Sequence, residues 1–113
     1  MQSENKAWSI LKEVFDRFDS VFPDIIQDAY LYGSYARGDY DSESDVDILL
    51  TADVPPEKLS IYQIELSNIN SDLSLLYGIT VSATIKSKKQ FDRYSDVLPY
   101  YRNVLHEGIR YAG

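Results

Sequence analysis

The stretch Tyr32–Leu50, YGSYARGDYDSESDVDILL, decides the fold of this chain. It begins with a glycine and a serine, Gly33 and Ser34, and ten residues rich in turn formers follow them. Two aspartates, Asp45 and Asp47, then stand on either side of a single apolar residue. The stretch therefore combines a tight turn with a pair of carboxylates at a fixed distance along the chain.

Apolar residues on both sides predict that this stretch connects two strands. The first strand is predicted at Ala29–Tyr32 and the second at Val46–Leu50. Because side chains alternate between the two faces of a strand, we expect Asp45 and Asp47 to share one face. The apolar residues of the second strand then point to the opposite face, into a core.

The residue types in this stretch suit a metal ion and phosphate groups. Two carboxylates on one face suit a hard divalent cation such as Mg²⁺, which binds one or two carboxylates together with phosphate oxygens. A Gly-Ser turn at the start of a short helix, predicted at Tyr35–Gly38, offers backbone N–H groups and a hydroxyl to phosphates. Together the two features indicate a site for a nucleoside triphosphate.

The same stretch resembles the signature of the nucleotidyltransferase superfamily, of the DNA polymerase beta type. The segment Tyr32–Gly38, YGSYARG, is similar to the first half of that signature, and Ser44–Ile48, SDVDI, is similar to the second. At this length the chain is most similar to the minimal nucleotidyltransferases. These are often the antitoxin half of a two-gene pair whose toxin has a HEPN domain.

The resemblance implies both an activity and a set of site residues. Asp45 and Asp47 would be catalytic and would hold Mg²⁺ or Mn²⁺, while Gly33 and Ser34 would bind the phosphates of ATP. Arg37 would also bind the nucleotide, although bracing of the loop that follows is an equal alternative for it. The product would be AMP attached to a hydroxyl, such as that of a tyrosine, on a HEPN-like partner protein.

The third predicted strand departs from the family pattern. Active members commonly carry a third carboxylate there, whereas Ile79–Ile85 contains no acid, and Ser82 is the best match for the position. A hydroxyl cannot take up the proton of the attacking group as a carboxylate can. Three interpretations follow: an active adenylyltransferase, a catalytically degenerate relative that binds nucleotide or a partner, and an antitoxin that acts by occlusion alone.

Length and composition give further expectations about the number of domains, the location of the protein and its partners. The 113 residues predict a single domain over 1–113, and 44% hydrophobic residues support a core. No cysteine and no secretory leader are found, which favours a cytoplasmic protein. No apolar run is long enough for a membrane span. The net charge of −7 argues against direct binding of nucleic acid and permits a basic protein partner. Self-association remains open.

The rest of the chain predicts an α/β (α+β) fold. Apolar periodicity indicates long helices over Ser3–Phe22 and after Pro55-Pro56, the second ending at Gly78, and shorter helices after Ser87 and from Pro99. The short first connection favours antiparallel pairing, and the long helix favours a parallel crossover. We expect a small mixed sheet of order 1-2-3 with helices mainly on one face, as in the nucleotidyltransferase fold. In the second long helix, residues at three- and four-residue steps form an apolar stripe that should face the core: Leu59, Tyr62, Leu66, Ile69, Leu73 and Leu76. Ile61, Ile64 and Leu75 lie outside this stripe and should either widen the core face or mark a partner surface.

Overall fold

The computed structural model describes residues 2–111, and their side chains from residue 6 onward. The helices and strands follow one another along the chain in this order: α1 Gln2–Val21, β1 Ile26–Tyr32, α2 Ser34–Arg37, β2 Val46–Ala52, a 3₁₀ turn at Pro56–Lys58, α3 Leu59–Tyr77, β3 Val81–Ser87, α4 Lys88–Tyr94, α5 Pro99–Glu107 and β4 Ile109–Tyr111. None of the helices in this part of the chain has the length and apolar character that crossing a membrane requires.

The sheet is mixed and has the order β3-β2-β1-β4. β2 pairs antiparallel with β1 and parallel with β3, so the predicted directions of the first three strands and the α/β class are confirmed. The expected order 1-2-3 is extended by β4, which pairs antiparallel with β1 and which the sequence did not predict. A strand of three residues is too short to show an alternating pattern.

The main core lies between one face of the sheet and the two long helices, α1 and α3. Val46, Ile48 and Leu50 point into it, as the alternation along β2 predicts. From the other elements, the fully buried residues of this core include Ile10, Leu11, Val14, Phe18, Leu66 and Leu73. On the opposite face, the short helices α4 and α5 cover only part of the sheet, around Tyr30, Leu49, Phe91, Tyr101 and Val104. Helices therefore lie mainly on one face.

The open edge of the sheet at β3 is covered by polar side chains of α3. The Asn70 amide bonds both backbone groups of Ala83, donating to its carbonyl at 3.0 Å and accepting from its N–H at 3.1 Å. Ser74 accepts from Val81 N–H at 2.8 Å, and Gln63 accepts from Ile85 N–H at 3.3 Å. Backbone groups that an edge strand normally leaves free are thus satisfied within the chain.

Several apolar residues predicted to face the core are exposed. Ile61, Ile64 and Leu75 do not widen the core face, because α3 packs on β3 and α1 through a narrow face that carries Leu66, Ile69 and Leu73. Leu76 was expected to continue that stripe and is also exposed, as is Tyr94 on α4. Gly78 ends α3 with a φ of 69°, the left-handed conformation that its position predicts.

Candidate active site

The site begins at the turn where β1 passes into α2. Gly33 has a φ of 78° and a ψ of −156°, a backbone conformation that is essentially restricted to glycine. Its carbonyl accepts the N–H groups of Ala36 at 3.1 Å and Arg37 at 3.0 Å. The N–H groups in the first turn of a helix have no acceptor within that helix. The backbone N–H groups of Ser34 and Tyr35, which begin α2, therefore lie at this turn without a helical acceptor.

Gly33 is also required because the Asp47 carboxylate lies against it. A Cβ atom added to Gly33 would collide with Oδ2 of Asp47. The two halves of the sequence motif, fourteen positions apart, are therefore in direct contact in the fold. The sequence places a glycine here for its conformation and for the space that the carboxylate needs.

Asp47 lies in the middle of a row of residues that crosses three strands. Its Cα partners are Tyr32 on β1 and Ser82 on β3. The position expected to carry a third acid is thus directly beside Asp47 and is occupied by the Ser82 hydroxyl. Asp45 immediately precedes β2 and is exposed, whereas Asp47 is partly buried.

The electrostatics of this pair favour a bound cation. The pKa of Asp47 is raised to about 6, mainly by burial and in addition by the nearby charge of Asp45, while the charge of Arg37 acts in the opposite direction. The charge of Asp45 is therefore close enough to disfavour the ionised form of Asp47. A divalent cation would remove this repulsion, and the donor set of two carboxylates plus phosphate oxygens is one that Mg²⁺ accepts.

Among the residues whose side chains the structure describes, no further acidic, histidine or cysteine side chain joins this pair. Within residues 6–111, no group of three or more acidic, histidine or cysteine side chains is arranged to hold a metal ion. The acids of the preceding loop have other partners: Asp41 accepts from the N–H of Glu43 at 2.8 Å, and Asp39 accepts from Arg37 at 3.2 Å. A metal here would need oxygen ligands from a nucleotide or water.

Arg37 makes the bracing contacts that were one of its two predicted roles. Its guanidinium donates to Asp39 and, at 3.4 Å, to Glu107 at the end of α5. It nevertheless remains exposed and close enough to Asp47 to lower the pKa of that carboxyl. Neither contact blocks a phosphate, since exposed ion pairs contribute little energy and exchange readily.

Sequence reasoning missed a group of hydroxyls on the same sheet face as Asp47. The Tyr32 and Tyr100 hydroxyls are 2.9 Å apart, and the Tyr100 hydroxyl is 3.4 Å from Oγ1 of Thr84. Burial raises the pKa of Tyr32, and its hydrogen bond with Tyr100 adds to that shift. Tyr100 lies 68 residues from Tyr32, and its only sequence signal was an unusual abundance of tyrosine, ten in all.

The fold and this site define a class of α/β protein built to handle nucleotides, and comparison with known proteins identifies the family. The model of the nucleotidyltransferase domain matches residues 11–111. The chain belongs to the nucleotidyltransferase family.

Two relatives from Methanocaldococcus jannaschii, each named "Putative protein adenylyltransferase", support this assignment. One is 38% identical over 94% of this chain and 95% of its own length. The other is 37% identical over 81% of this chain and 91% of its own length.

Solved structures share the fold. The crystal structure of a protein described as a nucleotidyltransferase of Sulfolobus solfataricus has a TM-score of 0.66 at 23% identity, covering 96% of this chain and 82% of that one. A toxin–antitoxin structure with AMP-PNP has a TM-score of 0.52 at 20% identity, covering 86% and 68%. A mutant of the toxin–antitoxin pair MntA-HpeT also has a TM-score of 0.52 at 20% identity, covering 95% and 70%.

Proposed function

We propose that this minimal nucleotidyltransferase, a single domain over residues 1–113, transfers AMP from Mg-ATP to a hydroxyl of a protein partner. The contact between the Gly33 turn and the Asp47 carboxylate carries this proposal. It brings a turn with N–H groups that suit phosphates next to a carboxylate pair that suits a metal ion, and transfer of a nucleotidyl group uses both. The names of the two Methanocaldococcus relatives, as protein adenylyltransferases, point to the same acceptor class.

Each site residue has a role in this proposal. Asp45 and Asp47 hold Mg²⁺ or Mn²⁺, which when bound neutralises charge on the triphosphate. The N–H groups at Gly33 and Ser34 and the Ser34 hydroxyl bind the terminal phosphates. Arg37 leaves Asp39 and Glu107 and pairs with a phosphate oxygen, a group that its planar guanidinium recognises well.

The partner is proposed to be a HEPN-like toxin, and the acceptor a tyrosine of that toxin. The fold neighbours support a toxin partner, since they include toxin–antitoxin structures, one of them with AMP-PNP. The chain itself is acidic, with a net charge of −7, which suits a basic partner surface. In this arrangement the partner would form the wall of the site that faces the carboxylates.

A second function is favoured by one observation, the serine at the third-acid position. With Ser82 beside Asp47 and no third carboxylate nearby, the site has no obvious protein base for the acceptor hydroxyl. A degenerate protein of this kind would bind nucleotide without transfer, or neutralise its partner by occlusion alone.

The test is co-expression of the chain with the product of the neighbouring gene, followed by incubation with ATP and Mg²⁺ or Mn²⁺. We expect the intact mass of the partner to increase by an adenylyl group, located on a tyrosine by peptide mapping. Asp47→Asn should abolish the increase, and Asp72→Asn, which removes an exposed acid on α3, should not. A partner that is neutralised without any adduct would favour occlusion.

A further inference from the structure

The Tyr100 side chain reaches from α5 across the sheet face that carries Asp47. Its hydroxyl contacts the Tyr32 hydroxyl on β1 at 2.9 Å and Oγ1 of Thr84 on β3 at 3.4 Å. β2 lies between β1 and β3 in the sheet, so a group that contacts side chains of both β1 and β3 on one face lies above β2. Side chains of β2 on this face include Asp47 and, two residues on, Leu49.

The position of this hydroxyl relative to Asp47 follows from the strand register. Tyr32 is the direct Cα partner of Asp47 on one side, and Ser82 is its partner on the other, with Thr84 next on the same face. The Asp47 charge is also close enough to contribute to the raised pKa of Tyr32. Tyr100 therefore places a phenol oxygen above β2, on the face of the sheet that carries Asp47 and against the Tyr32 side chain that pairs with it.

Tyr100 also has the freedom that an acceptor needs. It is 39% exposed and follows Pro99 in the first turn of a short helix. Its hydroxyl is held by two other hydroxyls and by no charged group among the described contacts. Small rotations of the ring would release these contacts, which are individually weak.

We propose that Tyr100 is an acceptor within the chain itself, so that the protein adenylylates its own Tyr100. This inference rests on the proposed function, because it uses the same nucleotide site. The Tyr100 phenol oxygen attacks the α-phosphorus of ATP and forms a phosphodiester with AMP. The bond from the α-phosphorus to the oxygen bridging to the β-phosphate breaks, pyrophosphate leaves, and the phenol proton passes to water.

The reaction would take place within one molecule. Because the phenol is already held on the face of the sheet that carries Asp47, it gains the advantage of an intramolecular reaction over an acceptor free in solution. Modification would place a bulky, charged group on α5 above the carboxylate pair. The adenylyl group would block the access of a partner hydroxyl to the site. The modified chain could then bind a partner but could not transfer AMP to it.

The experiment incubates the purified chain alone with ATP and Mg²⁺ or Mn²⁺ and follows its intact mass and tryptic peptides. We expect a single adenylyl adduct on Tyr100, formed at a rate that does not change when the protein is diluted. Tyr100→Phe should lose the adduct, and Tyr94→Phe should retain it. Tyr94 is a matched control because it is a tyrosine of the neighbouring helix with a similar exposed fraction, 37%.

Two further measurements separate this inference from the proposed function. Mg-ATP should stabilise wild type and Tyr100→Phe equally against heat, since the phosphate site does not include the phenol. If both proteins are stabilised but wild type gains no adduct on Tyr100, self-modification is wrong and the nucleotide site stands. If neither is stabilised, the nucleotide site itself is wrong. An adduct that forms on an Asp47→Asn chain when wild type is added would contradict reaction within one molecule.

Discussion

At the scale of single residues, Gly33 is where the turn after β1 contacts the Asp47 side chain of β2. Gly33→Ala should cost roughly 2–3 kcal/mol of unfolding free energy, because alanine is strained at this φ and ψ. Its Cβ should also displace the Asp47 carboxylate and so abolish nucleotide-dependent stabilisation. Gly38→Ala is the matched control: it has a φ of 89° but no atom near the added Cβ. Chemical denaturation measures the unfolding free energy, and the thermal shift with nucleotide measures the stabilisation by ligand. Nucleotide binding by Gly33→Ala at the wild-type level would contradict the contact between Gly33 and Asp47.

The raised pKa of Asp47 makes the stability of the metal-free protein depend on pH. The carboxyl titrates near 3.8 when unfolded and at about 6 when folded. The folded state therefore binds the proton more tightly, and the unfolding free energy falls as pH rises through this window.

Asp47→Asn removes this contribution. Its melting temperature should exceed that of wild type by more at about pH 7.5 than at about pH 5. Thermal unfolding in the presence of a chelator at both pH values provides the measurement. A difference between the two proteins that is the same at both values would mean that burial and Asp45 do not perturb this carboxyl.

Ser82 lies beside Asp47 at the position where a third carboxylate was expected. Ser82→Asp should restore a third carboxylate beside Asp47, tighten Mg²⁺ binding by about tenfold, or about 1.4 kcal/mol, and raise adenylyl transfer. Without metal the added charge should lower the melting temperature. Asn68→Asp, which adds an acid at an exposed position of α3, is the control. Isothermal titration with Mg²⁺ tests the expectation, and unchanged affinity in Ser82→Asp would place the third position elsewhere.

At the scale of elements, the edge of β3 depends on α3 for its hydrogen bonds. Asn70→Ala removes two hydrogen bonds to Ala83 and leaves its backbone groups without their partner, which should cost about 2 kcal/mol. Asn68→Ala, at an exposed position of the same helix, should change stability by less than about 0.5 kcal/mol. Urea unfolding compares the two variants. If both variants are equally stable, water satisfies the backbone groups of Ala83 as well as Asn70 does.

The sequence predicted the elements that have strong local patterns. The apolar alternation of β2, the three- and four-residue steps of α1 and the start of a helix after Ser87 are each determined by neighbours along the chain, and each is found. The third strand is also found, but it spans Val81–Ser87 instead of the predicted Ile79–Ile85. The predicted strand at Ala29–Tyr32 is part of β1, which begins earlier, at Ile26.

What the sequence could not predict depends on partners that are distant along the chain. β4 forms because Tyr111 packs between Trp8 and Phe15 and because Arg110 bonds the buried carboxylate of Asp28, at 2.9 Å. The polar residues Gln63, Asn70 and Ser74 stand among the apolar residues of α3 because their side chains hydrogen-bond the backbone of the edge strand β3. The place of Tyr100 beside Asp47 depends on the docking of α5, and no local pattern specifies that docking.

At the scale of the whole molecule, the site joins parts that only the complete fold brings together. The turn after β1, the start of β2, the middle of β3 and the first turn of α5 all contribute to one face of the sheet. A ligand that contacts this face binds the folded chain alone, so its binding free energy adds to the stability of the whole fold. A measurement of global unfolding therefore detects ligand binding at this site.

The most direct test of the central claim, that Asp45 and Asp47 form a metal–nucleotide site, is a thermal shift measured on wild type and Asp47→Asn, each with and without Mg-ATP. At about a hundredfold excess over Kd, a ligand adds about 2.7 kcal/mol, which corresponds to a shift on the order of 10 °C for a chain of this size. We expect that shift in wild type and the loss of most of it in Asp47→Asn, which should be at least as stable as wild type without ligand. Equal shifts in the two proteins, or none in wild type at millimolar Mg-ATP, would contradict the account.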